Sequence, residues 1–300
     1  MKLITKNLRT KFGKQILINE KLSNYSWFNL GGPADIFFKP NSIKDITCFL
    51  EELKPEKFTI IGAGSNTLIR DGGIKGITIK LSSSFSYINL NSENIIEVGA
   101  ATPDKKVADF AMENSLTGFE FLACVPGSIG GAVRMNTGCY GSDISQILHS
   151  IKVIDLKGSL KEIFAKDIKF LYRSTNIEEN LLVTSVKLKG KNYLRQKIAE
   201  KQKAMMETKK NSQPSQIKTC GSTFKNTKNK KAWELIKESN CENFQVGNAK
   251  ISEKHCNFLV NNGSTTSKDL EELIKKVKKT VYQKTGTNLE LEIKIIGSNK

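Results

Sequence analysis

The clearest periodic signals lie in the last third of the chain. Leu289, Leu291, Ile293 and Ile295 alternate with Glu290, Glu292 and Lys294, which predicts a strand over 289–296 with one apolar face. Ahead of it, Leu270, Leu273, Ile274, Val277 and Val281 recur at helical spacing. They predict a long amphipathic helix that begins near Thr266 and stops at Gly286. AWELIKE (232–238) reads as a short helix and NFLV (257–260) as a strand. From Leu194 to Lys210 the pattern is helical but polar, and NSQP (211–214) breaks it, marking a candidate domain boundary.

The first half reads differently. FTII (58–61), GITIKL (76–81) and NIIEVGA (94–100) are short strand patterns closed by glycine or asparagine. Thr102 and Pro103 resemble an N-cap and first helical residue, with Val107, Ala108, Phe110 and Ala111 as the apolar face behind them. IKVIDLKGSLKEI (151–163) predicts a hairpin turning at Lys157 and Gly158, and LLVTSVKL (181–188) another strand. The order is α+β, without βαβ repetition.

At 300 residues the chain can bury a sizeable core in two or three domains. No stretch approaches the roughly 18 to 20 apolar residues that span a bilayer, so membrane insertion is not expected. The opening MKLITKNLRTKFGKQ has no apolar stretch and no small-residue cleavage site; the cytoplasm is the expected location. Cys48, Cys124, Cys139, Cys220, Cys241 and Cys256 show no metal spacing and read as buried reduced thiols, and two histidines, His149 and His255, cannot build a metal site; no metal is expected. The net charge is +17. It is uneven: Lys187 to Lys231 holds fourteen basic and two acidic residues, +12 locally. Such a field draws in phosphorylated ligands. With only Tyr193 and Phe224 among these charges, nucleic acid is not the expected partner.

Two stretches are dense in glycine. GAGSN (62–66) follows a strand, yet Thr67 stands where G-x-G-x-x-G needs its third glycine, and a strand pattern follows in place of a helix. It is either an anion-binding nest of backbone N–H groups or an ordinary tight loop. PGSIGGAVRMNTGCYG (126–141) carries five glycines among Ser128, Ile129, Val133, Met135 and Asn136, which no flexible linker would hold. A set of structural turns in a β-rich domain is the lesser reading of this stretch in isolation. Two such loops together suggest one extended diphosphate ligand, such as a dinucleotide.

FNLGGPAD (28–35), GAGSNTLIRDGG (62–73), GFEFLACVPGSIGGAVRMNTGCYG (118–141), LYRSTN (171–176), CGSTFKN (220–226), KHCNFLVN (254–261) and LELEIKIIG (289–297) run in the order found in one family. The chain closely resembles the UDP-N-acetylenolpyruvoylglucosamine reductase (MurB) flavoenzymes of peptidoglycan precursor synthesis. The resemblance implies a two-part FAD-binding unit of the vanillyl-alcohol-oxidase (PCMH) type over 1–190, its lobes split near 85. An α+β substrate-binding domain would follow over 191–300, its last strand (289–297) carrying a catalytic glutamate. It implies Arg173, Ser222 and Glu292 as catalytic residues and Lys210 and Asn226 as substrate-binding ones. Gly62, Ala63, Gly64, Ser65, Asn66 and Leu68 of the first stretch, and Pro126, Gly127, Ser128, Gly130, Gly131, Asn136 and Gly138 of the second, would hold FAD. Thr137, Thr227 and Asn248 depart from the usual pattern at loop positions. The short run from Leu188 to Lys210 leaves no room for the tyrosine-bearing loop of the longer subclass, so the compact subclass is the one resembled.

The chemistry fits those residue types. Reducing an enolpyruvyl ether drives charge toward its carboxylate, which an arginine fork can meet bidentately. A serine hydroxyl can protonate the resulting enolate-like carbon if its alkoxide is steadied, with Lys225 three residues away. Periodicity alone does not choose between Glu290 and Glu292. No side chain donates hydride, so a redox cofactor is required; the resemblance implies FAD, reduced by NADPH, with a UDP-sugar as the partner substrate. The basic segment would serve that sugar, or NADPH, or simply reflect lysine-rich composition. Rival readings are a flavin oxidase of the same fold using molecular oxygen and a catalytically silent nucleotide or nucleic-acid binder that exploits the basic charge.

Overall fold

The computed structural model describes residues 6–91 and 93–299, so the start of the opening stretch read for an export signal, 1–5, lies outside the described residues. The chain condenses into two units. One holds the described residues up to Ile18, Ile36–Ala63 and Gly76–Lys209; the other holds Asn19–Asp35, Gly64–Lys75 and the chain from Lys210 onward. The chain passes between the units inside the strands Ile16–Lys21, Pro33–Phe38 and Ile74–Ile79, in the loop at Ala63–Gly64 and inside the helix Arg195–Ser212. Among the described residues no helix is long and apolar enough to cross a membrane.

The first unit has two cores. In one, the helix Ile43–Leu53 lays Ile46, Phe49 and Leu50 on Ile36, Phe38, Ile77 and Ile79. Phe38 and Phe49 stack at 3.9 Å, with Phe12 edge-on to both. The other core lies on an antiparallel five-stranded sheet in the order Leu160–Phe164, Leu148–Ile154, Leu182–Lys189, Ile95–Gly99, Ile88–Leu90. Its first pair is the predicted hairpin, closed around Gly158 at φ +82°. The helix packed on this sheet runs Asp104–Glu113, one residue later than its pattern suggested. Thr102 does not cap it, because its hydroxyl donates to the Tyr87 carbonyl at 3.2 Å and the extended Pro103 takes the cap position.

The link from that helix to the second glycine stretch is held by a buried acid. Glu120 is 2% exposed; Thr117 Oγ1 (2.6 Å) and the Gly118 N–H (2.9 Å) donate to it and Lys201 Nζ lies 3.5 Å away. Burial raises its pKa, but these hydrogen bonds and the lysine outweigh it, and the net shift is downward. A carboxylate depressed in the folded state stabilises above its unfolded pKa, and that stability is lost as pH falls through the folded one. Glu120→Ala strands two donors and is expected to cost about 1–3 kcal/mol at pH 7 in urea unfolding, with a smaller difference from the parent below pH 4.

The second unit is built on the predicted amphipathic helix, Ser267–Thr285, capped by Thr266 and ended by Gly286 at φ +68°. Its buried Leu270, Leu273, Ile274, Val277 and Val281 pack with Phe28, Leu68, Phe224, Leu235, Ile236, Leu289 and Ile293. Each such burial stabilises by about 1.5–3 kcal/mol. The antiparallel strands Gln245–Val246, Ala249–Ile251 and Leu259–Asn261 complete the core. Asp71 accepts from the N–H groups of Ser267 and Lys268 at 3.0 and 3.1 Å, and Arg70 grips Glu271 with two bonds of 2.8 and 2.9 Å. The IRDGG end of the first glycine stretch is therefore the dock of the long helix.

Candidate functional site

In the first unit the two glycine-dense stretches meet at Ser128. A Cβ built on Gly62 would touch only Ser128 Oγ, at 3.3 Å, and one on Gly131 only the same atom, at 3.9 Å. Gly62 is exposed, and its carbonyl is held by Lys80 Nζ. Burial, together with the charge of Lys39, lowers the pKa of that lysine. Gly130 is glycine for another reason: a Cβ there would meet Ala100 Cβ at 2.9 Å as the helix Ile129–Arg134 packs on that residue. Ala63 follows Gly62 in this unit, and exposed Pro126 and half-buried Gly127 lead into Ser128, with the Gly127 carbonyl accepting from Asp104 N at 3.3 Å.

Asn136, at φ +41°, is engaged by protein on both sides of its amide. Its Nδ2 donates to Leu171 O (3.1 Å) and its Oδ1 accepts from Ser145 N (3.0 Å). This ties the second stretch to the LYRSTN turn. There Arg173 has φ +58°, a left-handed backbone that costs a non-glycine residue and clusters at functional sites. Its Nη2 donates to Gly138 O at 2.5 Å and its guanidinium lies 5.0 Å from the Tyr172 ring centroid. The structure thus brings Arg173, Asn136 and Gly138 together.

Gly64, Ser65, Asn66 and Leu68 fall in the second unit. Gly64 has φ +73°, and a Cβ there would overlap the Tyr25 carbonyl oxygen. Leu68 is fully buried core. Asn66 positions the predicted glutamate: its Nδ2 donates to Glu292 O at 3.1 Å, and its own carbonyl accepts from Lys294 N at 2.9 Å.

The segments carrying Ser222 and Glu292 are neighbours in this unit. Phe224 bridges Leu291, Lys225 N donates to Glu290 O (2.8 Å), and both Glu292 N (2.9 Å) and Ile293 N (3.5 Å) reach Thr223 O. Two residues facing one make a β-bulge, a device that re-aims a side chain. The clean strand predicted over 289–296 is therefore broken at 292–293, and only Lys294–Ile296 forms a regular strand, parallel to Thr67–Ile69. The bulge separates the two glutamates that periodicity left equivalent: Glu290 is exposed and pairs with Lys225 at 3.4 Å, while Glu292 is half-buried. Lys225 is accordingly turned to Glu290. Ser222 is fixed by its bridge to Phe258, and Asn257, not singled out in the sequence, clamps Phe224 with Oδ1 to its N–H and Nδ2 to its C=O, both at 2.9 Å. The signal for Asn257 was its place in KHCNFLVN.

Of the two substrate-binding candidates, Asn226 accepts from Ala232 N at 3.0 Å, capping the helix Ala232–Glu238, and Lys210 is an exposed residue of the helix Arg195–Ser212 whose carbonyl accepts from Lys254 Nζ at 2.7 Å. The six cysteines are unbridged, but only Cys124, Cys220 and Cys241 are buried; Cys48, Cys139 and Cys256 are half-buried, against the reading of all six as buried.

Known proteins match this chain along most of its length. Residues 34–163 match the family described as FAD binding domain, and residues 213–296 the family described as UDP-N-acetylenolpyruvoylglucosamine reductase, C-terminal domain. A UDP-N-acetylenolpyruvoylglucosamine reductase of Orientia tsutsugamushi (strain Boryong) is 42% identical, covering 93% of this chain and 93% of its own. One of Pelagibacter ubique is 41% identical over 95% and 96%. The crystal structure of UDP-N-acetylenolpyruvylglucosamine reductase (MurB) from Thermus caldophilus superposes with a TM-score of 0.81 at 28% identity, covering 94% of this chain and 98% of that one.

Proposed function

Since the chain belongs to the UDP-N-acetylenolpyruvoylglucosamine reductase family, a family of oxidoreductases, and carries an FAD-binding domain, we propose that it reduces UDP-N-acetylglucosamine enolpyruvate to UDP-N-acetylmuramate with NADPH as reductant. The reaction would serve peptidoglycan precursor synthesis in the cytoplasm.

The residues present fit a flat, diphosphate-bearing group. Gly62 and Gly131 leave bare backbone around Ser128 where any other residue would place a side chain, and protein packing does not demand glycine at either position. Gly62, Ala63, Ser128 and Gly131 of the first unit would hold FAD. FAD, when bound, supplies the hydride that no side chain can.

The chain's own residues do the rest. Ser222 donates the proton that completes reduction on the carbon next to the substrate carboxylate. Arg173 offers its fork to the charge that develops on that carboxylate, its backbone strained and its Nη2 already bound to Gly138 O. Glu292 acts as a carboxylate re-aimed by the bulge and held through its backbone by Asn66 and Thr223. Lys210 and Asn226 contribute to holding the UDP-sugar, and the basic run from Lys187 to Lys231 favours its diphosphate. The observation that carries this reading is the juxtaposition of Ser222 and Glu292 on paired segments, with a bulge at the glutamate itself.

The purified protein is expected to be yellow and to consume NADPH only when the enolpyruvyl sugar is present. Colourless protein, or NADPH consumption driven by oxygen alone, would overturn the reading.

A further inference from the structure

The strands Pro33–Phe38, Ile74–Ile79 and Thr59–Ile60 are neighbours in that order in one sheet. The last two are parallel, and Ile61 N to Ile79 O at 3.0 Å continues their pairing past the strand ends. On the other side Lys80 N donates to Phe38 O (3.0 Å) and Ser82 N to Pro40 O (3.3 Å), the advancing pattern of parallel neighbours. This register sets Lys39 directly beside Lys80. Ile36, Phe38, Ile77 and Ile79 belong to the core under the helix Ile43–Leu53, so by alternation both lysines project from the opposite face of the sheet. Two like charges thus stand side by side at the carboxyl ends of parallel strands, next to Gly62, all in the first unit.

We propose that Lys39 and Lys80 clamp the diphosphate of the dinucleotide, an inference that rests on placing FAD at Gly62. Lys80 grips the Gly62 carbonyl through Nζ, and an ammonium carries three N–H donors, so two remain for phosphate oxygens. This pair lies outside the basic run from Lys187 to Lys231 that dominates the charge of the sequence.

The surroundings call for an anion. Among the described residues neither ammonium meets a carboxylate. Like charges directly opposite one another on neighbouring strands repel. Both lysines are half-buried, where salt screens that repulsion less than at the open surface. Phe37 and Thr78, which share their face by alternation, are fully buried, so this side of the sheet is covered by protein up to the lysines. The lowered pKa of Lys80, caused by burial and by the charge of Lys39, reports the same strain. An anion between the two ammoniums relieves it. A diphosphate fits better than a single carboxylate because each phosphoryl group carries a negative charge, one for each lysine. The carboxyl ends of parallel strands are also where such ligands collect.

The test compares Lys39→Met, Lys80→Met and the double variant with the parent, as full-length protein stripped of flavin. Methionine keeps an unbranched apolar stem and removes the charge. FAD and riboflavin, which has no phosphate, are titrated into each and followed by flavin fluorescence. FAD should bind about tenfold more weakly to each single variant, the loss of one charge-assisted hydrogen bond, while riboflavin binds all of them alike. Inorganic pyrophosphate should compete with FAD on the parent and not on the double variant. Lys39→Met should also raise the urea midpoint of the flavin-free form, because it relieves the repulsion; a lysine with a merely structural role would lower it. Uridine diphosphate and NADP⁺, titrated into the flavin-loaded proteins, separate the other diphosphates that the enzyme meets. Equal weakening of FAD and riboflavin, parental FAD affinity in the double variant, or a lowered midpoint in Lys39→Met would overturn the clamp and leave FAD at Gly62 standing. A loss confined to uridine diphosphate or NADP⁺ would give the lysines to another ligand and overturn it equally. A parent that binds neither flavin removes the cofactor reading itself, and the clamp with it.

Discussion

Ser222→Ala is expected to leave flavin reduction by NADPH near the parental rate and to slow reduction of the enolpyruvyl sugar about 10²- to 10⁴-fold, the usual contribution of a positioned proton donor. The split follows from chemistry. Hydride transfer from NADPH asks nothing of a hydroxyl, whereas an enolate-like carbon without a proton donor has only solvent to turn to. The fold gives the substitution little else to disturb. Ser222 is placed by backbone pairing with Phe258, and its neighbours by Thr223 N to Asn257 O at 2.8 Å and by the Asn257 clamp on Phe224. None of these bonds uses the Ser222 side chain, so the change in stability should stay within about 0.5 kcal/mol. Stopped-flow measurement of the two half-reactions separates the outcomes, and equal loss in both would remove Ser222 from the role of proton donor. The companion variant Asn257→Ala removes the clamp, leaves Phe224 N–H and C=O unpaired, and would lower stability as well as rate.

The elements that could be read in the sequence are those whose period is enforced by one local core. Leu270, Leu273, Ile274, Val277 and Val281 all face the second unit's interior, and both helix caps were spelled out by Thr266 and Gly286. The hairpin turning at Gly158 was equally local. The Glu292 bulge was not legible, because Leu289, Ile293 and the charged residues between them keep a period of two whether or not an extra residue is inserted into the pairing. Nor was the make-up of the second unit. Residues 19–35 join it through strands that run on from the first unit and 64–75 enter it in the loop at Ala63–Gly64 and leave it inside the strand Ile74–Ile79, so no change in composition marks the crossing. Arg70 and Asp71 follow the glycine loop directly in sequence, yet their partners, Glu271 and the N–H groups of Ser267 and Lys268, lie some two hundred positions away. The family resemblance supplied Arg173, Ser222 and Glu292, where periodicity alone left the two glutamates tied.

The glycines separate folding demands from ligand demands, and a paired substitution exploits this. Gly130→Val drives a branched side chain into Ala100, whose Cβ is 2.9 Å from where the new Cβ would stand, and is expected to destabilise the protein by about 1–3 kcal/mol whether or not a ligand binds. Loss of flavin in that variant would therefore say little. Gly62→Val is the informative one. Gly62 is exposed, its φ lies outside the left-handed region, and its added Cβ would press only on the Ser128 hydroxyl at 3.3 Å. Trading a glycine for a residue its backbone accommodates changes stability by no more than about 1 kcal/mol, often favourably. If the bare backbone at Gly62 and Ser128 is there for FAD, Gly62→Val should keep its urea midpoint in the flavin-free form yet bind FAD more than tenfold more weakly, a loss exceeding about 1.4 kcal/mol. Parental affinity in a well-folded Gly62→Val protein would mean that this meeting of the two stretches is a turn and nothing more.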